Sequence, residues 1–148
     1  MSIDISGFGL RVVIQASSTF PNGVTLTEFA DDTDPLGVDP QQVAEALMSL
    51  NGDLVTFTTA NPIPMNLSVI PESDADTLLT ILAEANRVSR GKSSARDVVS
   101  ATLVYPNDRI IQLTNGKLTN APMGTSVASA GRFSSKTYTF MFEGRSAA

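Results

Sequence analysis

From Thr137 to Glu143 the chain alternates without a slip: Tyr138, Phe140 and Phe142 fall to one side, and Thr137, Thr139, Met141 and Glu143 to the other. A period of two belongs to a strand with one face in a core; side chains two apart on a helix point in nearly opposite directions. The segment Arg132–Glu143 therefore needs a sheet to sit in and a layer to cover its aromatic face.

Other segments repeat the pattern. Leu10–Ser18 puts Val12, Ile14 and Ala16 on one face. Pro21-Asn22-Gly23 reads as a turn into a second strand, Val24–Ala30. Leu54–Thr59, Asn66–Ile70, Val98–Tyr105 and Arg109–Thr114 are rich in β-branched and aromatic residues. Asn115-Gly116 carries the strongest two-residue hairpin signal and predicts a tight turn into Lys117–Thr119. Asn120–Gly131 is small and polar, as in a mobile or interface loop. Two segments read as helix. Pro40–Leu50 spaces Val43, Leu47 and Leu50 helically, with Asp39 as N-cap and Asn51-Gly52 as its stop. Glu72–Arg90 is stronger: Ser73 caps it, Leu78, Ile81, Leu82, Ala85 and Val88 form a stripe, Arg87 and Arg90 occupy the last turn, and Gly91 ends it. These elements predict a mainly β fold, an antiparallel β-sandwich or barrel-like subunit with one flanking α-helix, in a single domain over 1–148.

Composition removes whole classes of chemistry. The 148 residues include no Cys, His or Trp. That excludes disulfides, thiolate metal sites, a thiol nucleophile and any triad built on histidine. Met1–Ser6 lacks the basic patch and apolar block of a signal peptide, and no apolar run is long enough to span a membrane. The expectation is a protein kept in a cytoplasm or released by lysis. The net charge of −5 hides a split. Residues 1–86 hold twelve acids and one base, Arg11; residues 87–148 hold nine bases and three acids. Either the two halves fold onto each other and the charges intermix on one surface, or the particle is dipolar and associates head to tail, positive patch to negative patch. An acidic chain without a basic stripe is not expected to grip nucleic-acid phosphates.

Four motifs touch known chemistries, and each falls short. Asp32–Asp39 partly matches a calcium loop but has Leu36 and Val43 where ligands belong. Ser89-x-x-Lys92 has the spacing of a Ser–Lys dyad, yet it lies at a helix end. Gly7-Phe8-Gly9 lacks the rest of a dinucleotide fingerprint, and Asn66-Leu67-Ser68 is a glycosylation acceptor only in a secreted protein. A hydrolase working through paired carboxylates is the weakest class. No catalytic residue, metal or cofactor is expected.

The run Leu113-Thr114-Asn115-Gly116-Lys117-Leu118-Thr119-Asn120-Ala121-Pro122-Met123-Gly124, followed by Ser126–Arg132 and Lys136–Glu143, resembles the C-terminal signature of the short tail-tube proteins of contractile-tailed bacteriophages. Leu50–Val55, Asn61–Pro64 and Val69–Pro71 are similar to the same family, so the resemblance covers roughly residues 45–145. It implies a structural virion protein with a flanking helix, six copies per ring, each lending strands to a ring-wide β-barrel. Rings would stack into a tube inside a sheath and conduct double-stranded DNA without binding it specifically. Its partners would be itself and the sheath, baseplate and tail-terminator proteins. Its place would be the virion tail, after assembly in the host cytoplasm. The alternatives are a baseplate, tube-initiating or adaptor protein, or the tube of a phage-like injection machine. Under this reading the candidate interface residues are Asp31, Asp32, Asp34 and Asp39 on one ring face, and Arg87, Arg90, Lys92 and Arg96 on the other or toward the sheath. The lumen wall is expected to be acidic, repelling phosphates so that DNA slides.

Overall fold

The structure is a computed structural model and describes residues 9–30, 34–127, 129 and 131–147. Gly7-Phe8, Met1–Ser6, Asp31 and Asp32 lie outside these residues. Nine strands and one helix follow in order: β1 Arg11–Ala16, β2 Phe20–Leu26, β3 Leu36–Gly37, β4 Ala44–Met48, β5 Leu54–Thr58, β6 Ile63–Val69, α1 Asp74–Asn86, β7 Val99–Val104, β8 Ile110–Asn120 and β9 Lys136–Ala147. Seven strands form one sheet in the order β2-β1-β7-β8-β9-β6-β3, every neighbour antiparallel; β4 and β5 form a separate two-stranded sheet. Among the described residues the fold is mainly β with one flanking helix, as expected.

The aromatic face of β9 carries the core. Tyr138, Phe140 and Phe142 are fully buried, and the last two stack with ring centroids 6.1 Å apart. Val12 and Ile14 of β1, Met65 and Leu67 of β6, and Leu103 of β7 join them from the sheet; Leu79 and Leu82 join them from α1. The helix thus covers one face. The other is a wet face of Thr, Ser, Asn and Gln: Gln15, Thr102, Gln112, Asn66, Thr137 and Thr139.

The sheet curls. Leu26 ends β2 at one edge, and three residues later Phe29 bridges Val69 of β6 near the other. Three residues reach about 10 Å at most, so the two edges converge at this end. They do not close into a barrel: among the described residues no ladder joins β2 to β6.

Several expectations are corrected. The segment expected as a helix over Pro40–Leu50 is strand β4, paired with β5 from Ala44↔Thr58 to Met48↔Leu54. Ala, Glu, Leu and Met favour helix intrinsically, but pairing with the β-branched and aromatic residues of Leu54–Thr58 overrides that preference. Asn51-Gly52 is then the hairpin turn, with Gly52 at φ +88°. Conversely, Asn115-Gly116 is no turn. β8 runs straight through it, with Asn115 at φ +53° and an extra residue accommodated as a bulge against β7. The first turn lies at Ser17–Thr19, leaving Pro21–Gly23 inside β2. β6 begins at Ile63 and absorbs Pro64.

The helix is capped by Ser73, whose hydroxyl accepts from the Asp76 amide at 3.3 Å, as its sequence predicts. It stops at Asn86, however, with no base in its last turn; Arg87 is its C-cap. The buried face is Ala75, Asp76, Leu79, Leu82 and Ala83, rotated from the expected stripe, so Ile81 and Val88 are exposed.

Candidate assembly surface

The β4–β5 hairpin stands apart from the core. All ten of its strand residues are exposed, and its packing is strand against strand. At its tip the Ser49 amide donates to the Asp53 carbonyl at 2.8 Å, and the Ser49 hydroxyl accepts from the Asp53 amide at 3.0 Å. At its root the Asn61 side chain donates to the Gln42 carbonyl at 2.8 Å and to Thr59 Oγ1 at 3.0 Å, and Gln41 donates to the Asn61 carbonyl. Between tip and root each face carries exposed apolar side chains, with Thr56 and Thr58 on one face and Glu45 on the other. Met48 lies opposite Leu54 on one face, and Leu47 opposite Val55 on the other, beside Phe57. Met48 is 65% exposed, Phe57 47%, and Leu50 at the tip touches nothing. An isolated two-stranded hairpin is marginal in water, and a contiguous apolar surface of this kind marks an interaction site.

The candidate basic residues sit at and just beyond the C-terminal end of α1. Arg87 is forked onto Glu84, with Nη2 to Oε1 at 2.8 Å and Nε to Oε2 at 3.1 Å. The hydrogen bond and charge of Arg87 hold the Glu84 carboxyl below its usual range. The Lys92 ammonium donates to the carbonyls of Glu84 and Arg87, closing the frayed end of the helix. The Ser89–Lys92 spacing is therefore a helix stop and not a dyad. Arg90 and Arg96 are exposed, and neither side chain forms an ion pair among the described residues. Of the acidic candidates, Asp31 and Asp32 fall outside the described residues, Asp34 is exposed, and Asp39 accepts from Asn66 Nδ2 at 3.3 Å. No cluster of carboxylates able to hold a metal occurs among the described residues.

Two hollows flank these features. One, of about 340 Å³, opens between the C-terminal end of α1 and the end of β8, lined by Ala83, Asn86, Arg87, Leu118, Ala121 and Met123. The other, of about 380 Å³, lies at the hairpin root between Asn61-Pro62 and Asn115, Met141 and Glu143. Neither collects the paired acids a hydrolase would need.

Two buried polar clusters escaped the reading of the sequence. Asp76 is 4% exposed; it accepts from Tyr138 Oη at 2.9 Å and from the Glu72 amide at 3.0 Å, and pairs with Lys136 at 3.2 Å. Burial, with Asp76 adding to it and a Thr80 hydrogen bond opposing, pushes the Tyr138 phenol up to about 12. Asp97, 3% exposed, accepts from the Ser18 and Thr19 amides, the Thr19 hydroxyl and the Asn86 amide group. Burial alone would raise its carboxyl, but these hydrogen bonds outweigh it and hold the group below its usual value. Among the described residues no buried side-chain nitrogen or oxygen lacks a partner, which marks the two clusters as structural ties: β9 to α1 in the first case, the β1–β2 turn to α1 in the second. Their only sequence signal is an acid beside a run of core residues.

Comparisons with known proteins give a consistent setting. A family model described as tail fiber protein gp32 matches residues 3–146. No curated protein sequence matches the chain significantly. Among solved structures, a chain in the tube-terminating cap of the anti-feeding prophage is 11% identical, with a TM-score of 0.52 over 100% of this chain and 94% of that one. One in the six-fold symmetrised baseplate of the same prophage is also 11% identical, with a TM-score of 0.60 over 100% and 97%. One in the sheath/tube terminator of the extended PVC extracellular contractile injection system is 10% identical, with a TM-score of 0.56 over 99% and 98%. At these identities the likeness is one of fold.

Proposed function

The chain belongs to the tail fiber protein gp32 family, and from that premise we propose that it is a non-enzymatic structural subunit of a contractile tail that assembles with copies of itself into rings at an end of the tail tube. The family makes it a structural tail protein. The finer placement rests on the fold neighbours, which come from cap, terminator and baseplate assemblies and match over nearly their whole length.

The observation that carries self-assembly is the unpartnered β4–β5 hairpin. A fully buried Val, Leu, Met or Phe is worth roughly 1.5–3 kcal/mol, and at each large apolar position here about half or more of the side chain remains exposed. Association itself costs about 4–15 kcal/mol. One or two contacts cannot meet that cost, so the hairpin must be buried as a unit. In this reading residues 1–148 act as one domain, six copies close a ring, and the wet sheet face turns toward the axis. That face carries Glu143 against Arg11 and Lys117, with hydroxyl and amide groups between. Passing DNA would then slide because the wall has no array of bases to bind it, rather than because the wall is acidic.

Negative-stain microscopy of the purified chain tests this. Single rings with a central hole are the expected result; a monomer at every concentration overturns the reading. The second reading, the repeating tube subunit itself, is favoured by the split charge, which suits unlimited stacking. It predicts long stacked tubes in the same images.

A further inference from the structure

We propose that the hollow between the C-terminal end of α1 and the end of β8 receives the β4–β5 hairpin tip of a second copy of this chain. This rests on the self-assembly reading and adds the receiving site to it.

The two surfaces differ in charge, and the hollow is large enough to admit an apolar side chain from the tip. The tip presents Met48, Leu50 and Leu54, with no packing of its own. The hollow is lined by the apolar Ala83, Leu118 and Ala121 together with the polar Asn86, Thr119 and Asn120, with Met123 exposed at its edge, and its 340 Å³ exceeds a leucine side chain severalfold. No base occurs anywhere from Val12 to Asn86, so the hairpin carries only acids, Glu45 and Asp53. Beside the hollow the charge is the opposite: Arg87, which lines it, opens the segment Arg87–Arg96, which holds four bases and no acid. Arg87 is tied to Glu84 and Lys92 to helix carbonyls, so Arg90 and Arg96 are the exposed bases of that segment that form no ion pair among the described residues. The hollow at the hairpin root is a poorer fit: its own charged residue is Glu143, the same sign as the hairpin.

Reach is sufficient. Two five-residue strands project about 17 Å beyond their root. Donor and receiver are different patches of one chain, so repeating the contact head to tail gives closed rings or stacks.

The chain has no cysteine, which makes the test direct. Leu50→Cys and Met123→Cys alter two exposed positions. The two single variants are mixed under oxidising conditions, and covalent dimers are counted by non-reducing electrophoresis beside sedimentation of the same sample. The expected result is at least about a tenfold excess of dimer in the mixture over either variant alone, because docking raises the local thiol concentration. Glu45→Lys with Asp53→Lys in the Leu50→Cys chain should suppress the cross-link, and Arg90→Glu with Arg96→Glu in the Met123→Cys chain should restore it. Assemblies that form without this cross-link, or a cross-link indifferent to both charge reversals, overturn the docking site and leave self-assembly standing. Monomers throughout overturn self-assembly as well.

Discussion

At Gly116 a hydrogen in place of a side chain decides whether Phe142 can lie across β8. A Cβ there would overlap the Phe142 ring and come within 2.9 Å of the Met141 carbonyl oxygen. Gly116→Ala should therefore cost about 1–3 kcal/mol of stability, read as a lower urea midpoint; an unchanged midpoint would mean the ring moves aside freely. Asp97 gives a pH signature. Its folded carboxyl titrates below the unfolded value of about 3.9. Its contribution is present above the unfolded value and disappears as pH falls through the folded one. Asp97→Ala should remove that acid-range dependence and cost about 2–4 kcal/mol, since it strands the Ser18 and Thr19 amides. Tyr138 acts in the opposite range. Its neutral phenol is favoured in the fold, so its contribution holds below about pH 10 and is lost as pH rises through about 12. Tyr138→Phe should flatten the alkaline limb of a stability–pH profile.

At the scale of elements, the alternation of β9 and the Ser73 cap were legible, because each is a local pattern read by one neighbour. The two Asn-Gly pairs were not. Asn51-Gly52 turns a hairpin whose first strand is written in helix-forming residues, and Asn115-Gly116 passes straight through β8 because the Phe142 ring needs that glycine. In both, a partner distant in sequence decides the outcome, and no local signal reports it. The rotation of the α1 stripe has the same origin: Asp76 is buried because Lys136 and Tyr138 meet it there. The run Arg87–Arg96 is legible in the sequence as a cluster of bases, and Leu54–Thr59 as a strand, whereas its partner over Pro40–Leu50 reads as an amphipathic helix. Conflict between local propensity and adopted structure is expected where function resides. Leu47→Ser with Phe57→Ser should thus leave monomer stability within about 1 kcal/mol, measured by thermal unfolding, while weakening self-association measured by sedimentation. A large drop in stability instead would make the hairpin part of the protomer's own scaffold.

The whole molecule is a curled sheet with one wet face, one helix-covered face, an apolar arm and a basic receiver. Its acids and bases are segregated along the chain, although Asp76 and Lys136 join the two halves within the protomer. The most direct test of the arm's role is amide hydrogen exchange on the intact chain, dilute and concentrated. The account predicts fast exchange over residues 43–59 in the dilute sample and strong protection there on concentration, with Arg87–Arg96 and Leu118–Met123 following. Hairpin amides that exchange equally fast at both concentrations would contradict it.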